Sequence, residues 1–301
     1  MTTGEKLRRF FRTDQGVGLL LVSPTALYAL LLLAVPLIAI VVISFLTQTG
    51  VRDFAPGLSL VNYKEALSDP LYRELMLRSL MVSGSVTVVT VLLAFPIAYF
   101  VSFGVKPEQK SLWIFLITIP FWTSYLIRVF LWKVILGYNG VLNSGLKLVG
   151  IIDEPLTFIL YNVNAVIITL AHAYAPFAIL PIFVALEKID RSYLEASRDL
   201  GESRTMTFLR VTLPLAAPGV VAAVLIVFIP TIGDYVTPKL VGGPGGTMIA
   251  NMIQTQFLRL NNAPLGATLA VLAMLIVAVI AIVFLIVGYR AAGGGKKGGR
   301  G

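Results

Sequence analysis

Six apolar runs, each close to the length of a helix that crosses a bilayer, decide what this chain can fold into. They fall at about 17–46, 79–103, 112–137, 163–186, 215–232 and 265–289. Roughly 20 apolar residues cover the hydrocarbon core as a helix. In hydrocarbon, backbone N–H and C=O groups must be satisfied inside the segment, so runs of this length fold as helices. The expected fold class is an all-α integral membrane protein, a bundle of six spans. Composition agrees: 57% of the 301 residues are hydrophobic and 13% are charged, against about a quarter charged in a soluble domain. The first run is too long for a signal-peptide core and no small-residue cleavage site ends it cleanly, so it reads as an uncleaved span behind an N-terminal segment, 1–16.

The loops divide by charge. Lys6, Arg8, Arg9, Arg12, Lys106, Lys110, the five basic residues of 187–214, and Arg290, Lys296, Lys297 and Arg300 fall on one side of the membrane. Arg52, Lys64, Arg73, Arg78, Lys147, Lys239 and Arg259 fall on the other. The excess assigns both termini and the 187–214 loop to the cytoplasm of a cell (inner) membrane. The net charge of +9 is thus read as membrane orientation, with lipid and not nucleic acid as the partner. Between spans, Leu60 to Leu77 has helical spacing and is expected along the membrane surface. Asn139-Gly140 and Asn143-Ser144-Gly145 signal turns in the polar segment 138–161. The glycine-rich, basic tail 290–301 has no apolar surface to bury and is expected to be disordered. No internal repeat or second soluble domain is visible.

The loop 187–214 is the one charge-rich interruption. It holds Lys188, Arg191, Arg198, Arg204 and Arg210 beside Glu187, Asp190, Glu195, Asp199 and Glu202. Ser192 followed by Glu195 reads as a capping box, and Gly201 stands where a left-handed C-terminal cap would end that helix. A second helix is expected from Ser203 until Pro214 breaks it. Small residues at Ala196 and Ser197 leave room for another backbone, which suits a docking element. Glu195-Ala196-Ser197, three residues, Gly201, nine residues, then Val211-Thr212-Leu213-Pro214 resembles the EAA loop of bacterial ATP-binding-cassette (ABC) importer permeases. Ser197 and Val211 depart mildly from that signature. The resemblance implies a six-helix permease bundle with cytoplasmic coupling helices, in which Glu195, Ala196, Ser197, Gly201, Leu213 and Pro214 couple to an ATPase.

Catalytic chemistry finds little support. GxxxxGK[ST], GxSxG and HExxH are all absent. No cofactor is implied, cysteine is missing, and one histidine, His172, cannot build a histidine-rich metal site. No catalytic or metal residue is named, and any ATP-driven work must come from a partner. Charges inside spans are costly and therefore functional candidates. Arg128 and Lys133 lie in the third span with Trp122, Tyr125 and Trp132, where an interfacial belt is the competing reading. His172 reads as a hydrogen-bonded interior residue sooner than a proton relay. Asp234 and Tyr235, after Pro230 and Gly233, either bind an ammonium group by charge and cation–π attraction or form a solvated loop end.

Pro120-Phe121-Trp122-Thr123-Ser124-Tyr125-Leu126-Ile127-Arg128, with Gly137-Tyr138-Asn139-Gly140 downstream, resembles the third-span region of spermidine/putrescine ABC importer permeases. So does Ile229-Pro230-Thr231-Ile232-Gly233-Asp234-Tyr235-Val236-Thr237-Pro238, and the likeness to the first of the two permease subunits covers most of the chain. It implies a heterodimer with a second permease, two copies of a cytoplasmic ATPase, and a periplasmic or lipid-anchored polyamine-binding protein. On this reading Trp122, Tyr125, Asp234 and Tyr235 lie on the substrate path. Importers of opines, other organic cations, amino-acid derivatives, thiamine or ferric iron share parts of these segments. A stand-alone secondary transporter and a membrane enzyme are the readings of other classes.

Overall fold

The structure, a computed structural model, describes residues 14–50 and 53–293. The apolar runs become helices, several of them longer than the runs. They are α1 (Asp14–Ser44), α3 (Pro70–Tyr99), α7 (Val163–Glu187), α10 (Leu213–Ile232) and α13 (Ala263–Gly293). Short helices fill the loops: α2 (Val61–Ser68), α6 (Val141–Leu148), α8 (Arg191–Asp199), α9 (Arg204–Thr207), α11 (Val236–Val241) and α12 (Ile249–Leu258). The third run is a pair, α4 (Pro107–Thr118) and α5 (Tyr125–Ile135). Five helices among the described residues are long and apolar enough to cross a membrane, and the bent pair makes a sixth when taken as one span.

Several expectations need correction. The third span is not one helix: the segment ending at Trp122 meets α5 at 86°. Pro120 has no N–H to give the preceding turn; Thr123 N–H and Oγ–H both turn back to its carbonyl, at 3.4 and 2.7 Å, and Thr123 is extended. The surface helix expected over Leu60–Leu77 is α2 plus the start of α3. Asp69 accepts the Leu71 N–H at 2.8 Å with Pro70 at the first helical position, and this cap starts the long helix about two and a half turns before the apolar run. Asn143-Ser144-Gly145 lies inside α6 and is not a turn. Buried Asn143 ties that helix down by donating to Gly137 O (3.1 Å) and accepting from Leu156 N (3.0 Å). The tail expected to be disordered from 290 is helical through Gly293, while 294–301 and the N-terminal residues 1–13 lie outside the described residues.

Helices α3, α7 and α10 form the centre, meeting through Val86, Leu170, Ile182, Leu186, Ala223 and Val227. Small residues let the backbones close up, as membrane helices without a strong hydrophobic drive require. Gly219 is the tightest point: a Cβ there would lie 2.5 Å from Pro181 O and 3.2 Å from Ile182 Cα on α7. A second cluster joins Tyr72 and Leu75 of α3, Phe228 and Ile232 of α10, Ile249 of α12, and Leu265 and Leu269 of α13. Three buried hydroxyls are satisfied within their own helices: Thr87, Thr90 and Thr231 donate to the carbonyls four residues back at 2.6–2.7 Å, while Ser83 and Thr169 have no partner among the described residues.

Helix α1 packs on α13 and leaves nearly all of its apolar surface uncovered by the rest of the chain. Its end is held by polar contacts. Thr268 Oγ and Asn62 Nδ2 donate to Ser44 O at 3.0 and 3.2 Å, and Ser44 Oγ shares a 2.8 Å bond with Tyr63. A two-residue antiparallel pairing, Thr47–Gln48 with Phe54–Ala55, closes the loop beyond it.

Gly219→Ala forces a methyl against the α7 backbone, and overpacking of this kind costs about 1–3 kcal/mol. The melting temperature of the detergent-solubilised protein is expected to fall, and further for Gly219→Val; unchanged melting would refute the close α7–α10 approach.

Candidate functional site

Two regions carry chemistry: the 187–214 loop and the α5 side of the bundle. In the loop, the helix does not start at Ser192. Asp190 is its N-cap, accepting the Ser192 N–H at 2.9 Å. That hydrogen bond holds the Asp190 carboxyl below its ordinary range, so the cap persists above the ordinary carboxylate pKa and loosens as pH falls through the lowered one. The expected Ser192–Glu195 capping box is absent because the carboxylate two residues earlier already occupies the cap.

The other end is a Schellman motif. Glu202 N–H bonds Ser197 O (3.2 Å), Gly201 N–H bonds Arg198 O (2.9 Å), and Gly201 has φ +86°. The chain turns into α9, capped by Ser203, whose Oγ accepts from Met206 N at 3.2 Å. Buried Ser197 faces buried Thr207 across the elbow with their hydroxyls 3.0 Å apart, and Glu202 pairs with Arg210 at 2.5 Å. Glu195 and Ala196 lie on the exposed outer face. Tyr193 and Leu200 are also exposed, Leu200 at 86%, which leaves an apolar tip on an otherwise charged loop.

Pro214 does not break the second helix. After Thr207 the helix widens into a π-turn, Phe208–Thr212, in which Leu213 N–H reaches Phe208 O, and it runs on into α10. Pro214 sits in the first turn of α10 with Leu213, and the wider turn accommodates its missing N–H. Phe208 meets Phe95 and Tyr99 of α3 edge-on, with ring centroids 5.6 and 5.8 Å apart. Nearby, Glu187 at the end of α7 accepts from Ser102 Oγ (2.5 Å) and Lys110 Nζ (2.6 Å). The elbow is thereby joined to three central helices.

On the α5 side, Tyr125 and Asp234, 109 residues apart, come together: Tyr125 O–H donates to Asp234 Oδ2 at 2.6 Å and also contacts Thr237 Oγ at 2.8 Å. Asp234 Oδ1 accepts from Val236 N (2.9 Å) and Thr237 N (3.3 Å), starting α11. Asp234 is buried, so it is not a solvated loop acid. Trp122, at the 86° bend, is 81% exposed, and Tyr235 is 43% exposed; neither has a side-chain bond to this pair. The Tyr235 carbonyl accepts from Asn251 Nδ2 at 2.8 Å.

Further along, Phe121 and Phe177 meet edge-on at 4.1 Å, and the Arg128 guanidinium lies 5.3 Å over the Phe121 ring. His172 is not an interior residue. It is exposed on α7 and accepts the Trp132 indole N–H through Nδ1 at 3.1 Å. Phe121, Phe177 and Thr237 were not singled out by sequence reading. Only the bend at Pro120 and the turn after Gly233 bring them together, and neither has a signature in spacing.

The fold is that of the membrane-spanning permease of an ABC importer. Residues 24–292 match the family described as binding-protein-dependent transport system inner membrane component, and the chain belongs to that family. It is a multi-pass inner-membrane protein. The spermidine/putrescine transport system permease protein PotB of Haemophilus influenzae is 37% identical over 257 residues, covering 85% of this chain and 87% of that protein. Escherichia coli PotB is 35% identical over 257 residues, 85% and 92% covered. The E. coli inner membrane ABC transporter permease protein YdcU is 31% identical over 288 residues, 91% and 90% covered. A crystal structure of a bacterial ABC transporter involved in alginate import superposes with a TM-score of 0.72 at 17% identity, over 95% of this chain and 99% of that one. The same kind of transporter with an alginate-bound periplasmic protein gives 0.72 at 16%, over 96% and 98%. At these identities the structural likeness speaks for the fold.

A Cβ placed on Gly201 would meet nothing within 4 Å, so a side chain there is opposed by backbone conformation alone. Gly201→Val is expected to strain the elbow by about 1–2 kcal/mol and to lower cargo moved per ATP hydrolysed in the assembled transporter. Gly201→Asn, which tolerates the left-handed conformation, should retain most of that ratio. Equal ratios for Val and Asn would refute a conformational role.

Proposed function

We propose that this chain is one of two permease subunits, the first, of an ATP-driven polyamine importer, and that it is worked from the cytoplasm through the 187–214 elbow. The observation that carries the reading is the elbow itself. A capped, hydroxyl-stapled helix pair with exposed Tyr193 and Leu200 belongs to a chain without a phosphate-binding loop. Glu195 and Ala196, with exposed Tyr193 and Leu200, form the docking surface; buried Ser197 and the left-handed Gly201 shape the elbow behind it, and Leu213 and Pro214 form the joint to α10. When ATP closes a pair of ATPase subunits, the elbow moves as a rigid body and rocks α10, α3 and α7, so that access alternates across the membrane. The excess of basic residues in their loops supports a cytoplasmic position for both termini and the elbow.

The cargo class follows from the PotB relatives, 35–37% identical over 85% of this chain. It is supported by the chemistry of the α5 side. Asp234 is a buried carboxylate with no ion-pair partner among the described residues, it holds the Tyr125 hydroxyl, and Trp122 and Tyr235 are exposed aromatic residues of the neighbouring segments. These suit alkylammonium groups by charge and cation–π attraction. A periplasmic or lipid-anchored binding protein delivers the cargo, and a second permease completes the pathway.

The test is uptake of labelled spermidine and putrescine by proteoliposomes holding this chain, its companion permease, the ATPase and the binding protein. Uptake should require ATP and be competed by unlabelled polyamine but not by thiamine or amino acids. Transport by the chain alone without ATP would overturn the mechanism, and competition by another solute class would overturn the cargo. Asp234→Asn keeps an oxygen for the Val236 and Thr237 amides while removing the charge. It is expected to cut polyamine uptake about tenfold, as loss of one ionic contact would, with basal ATP hydrolysis little changed.

A further inference from the structure

A slot of about 280 Å³ runs between α3 and α13. Leu77 and Leu80 wall it on α3, Leu272 and Ile276 on α13, and Leu67 of α2 closes one end. It is open at the surface, where Leu67 and Leu77 are exposed. Tyr72 in its wall turns its hydroxyl inward, accepting from buried Gln256 Nε2 at 3.1 Å. The lining is therefore apolar except for Arg73, its one charged residue.

Arg73 stands at a definite depth. Helix α3 runs from Pro70 toward the elbow, where Phe95 and Tyr99 meet Phe208, so Arg73 marks the far end of the slot. The apolar run of α3 starts at about 79, which puts Arg73 about 9 Å beyond it along the helix and in the headgroup layer of a bilayer. Leu80 and Ile276 lie within apolar runs, at hydrocarbon depth. A gap between spans forfeits dispersion contacts on one side unless a chain fills it. A cation above an apolar slot has the polarity of a phospholipid, with phosphate at the top and acyl chain below.

The charges at the mouth narrow the head. Arg73 is exposed and belongs to no ion pair among the described residues. Its planar fork is suited to two phosphate oxygens. Asp69, one turn earlier on the same face, gives one carboxylate oxygen to the Leu71 N–H and has no ion pair among the described residues. Exposed Glu65 is likewise unpaired there, and both acids lie within electrostatic reach of Tyr72. Glu74 is spent on Arg78. One free cation between two free carboxylates favours a head of both signs over one of net negative charge.

We propose that this slot is a lipid site: one acyl chain of a phospholipid lies between α3 and α13, with its phosphate on Arg73 and a head ammonium beside Asp69 and Glu65. The lipid completes the packing of α2, α3 and α13 at the end of the bundle away from the elbow. The inference needs the membrane-spanning fold and is independent of the cargo and of the companion permease.

The test is native mass spectrometry of the assembled transporter, delipidated in detergent and titrated with phosphatidylethanolamine, phosphatidylcholine or phosphatidylglycerol. Arg73→Gln, at an exposed position that leaves the fold intact, is expected to weaken retention of one phosphatidylethanolamine about tenfold, as loss of a charge-assisted contact would. Leu77→Trp fills the slot and should release the same lipid with Arg73 in place. The parent should prefer phosphatidylethanolamine to phosphatidylglycerol by roughly threefold, the scale of an exposed charge pair, and Glu65→Gln should narrow that preference. Inorganic phosphate should not displace the lipid, because it has no chain to bury. Equal retention by the parent and Arg73→Gln overturns the proposal, and so does displacement by inorganic phosphate, which would mark a plain anion site. A photo-crosslinking residue at 77 should label lipid; labelling of the companion permease in its place would show that protein covers the slot and overturn the proposal as well. A preference for phosphatidylglycerol would overturn the assignment of the head.

Discussion

Lipid offers no hydrogen bonds, and this constraint shapes nearly every feature of the molecule. Five helices close their own ladders over whole membrane thicknesses, and the buried threonines of α3 and α10 spend their hydroxyls on their own helix. Where the ladder is broken, the break has to face protein or water. At 119–124 the chain bends by 86°, yet Trp122, Thr123 and Ser124 are exposed on this chain. A bend left open in that way is the wall of a water-filled cavity or a surface another subunit covers. It is also where Tyr125 and Arg128 begin α5. The cost of interrupting a span thus coincides with the position of the polar side chains.

The same constraint explains how motion can enter. A lever joined to a span by a flexible loop would dissipate its movement in the joint. Here the elbow is stiff at each link: Asp190 and the Schellman motif fix the ends of α8, the Ser197–Thr207 hydroxyl contact sets the angle to α9, and the π-turn carries α9 into α10 without a break. Phe208 against Phe95 and Tyr99 extends the link to α3, and tight packing at Gly219 extends it to α7. On the proposed reading, a push on the elbow would therefore reach all three central helices together.

How far this could be read from residues varied with the range of the cause. Span positions were legible because apolar length is local and bilayer thickness is fixed. Gly201 was legible because its place after an amphipathic turn invites a left-handed cap, which it adopts. Misreadings arose where two local rules competed. Asp190 and Ser192 can both cap a helix, and the earlier one did. Pro214 can break a helix or sit in its first turn, and a π-turn decided for the latter. Asn143-Ser144-Gly145 suggests a turn, but Asn143 has buried partners on both sides that hold a helix. The long-range meetings, Tyr125 with Asp234 and Trp132 with His172, were beyond reach because spacing carries no information across helices. The exposure of His172 belongs to the same class, since an apolar run does not disclose which face turns toward a neighbour.

The distribution of what is satisfied and what is not gives the bundle a direction. The side where α3, α7 and α10 meet is packed, with its small residues in contact and most of its hydroxyls bonded, Ser83 and Thr169 excepted. The side of α5, the bend and the outer face of α7 holds exposed aromatic rings, an exposed histidine and a guanidinium without acceptors among the described residues. A protein complete in itself would have this the other way round, because polar groups at membrane depth are the ones that most need partners. On the proposed two-permease reading, this exposed and polar side of α5 and α7 is where the second subunit would sit.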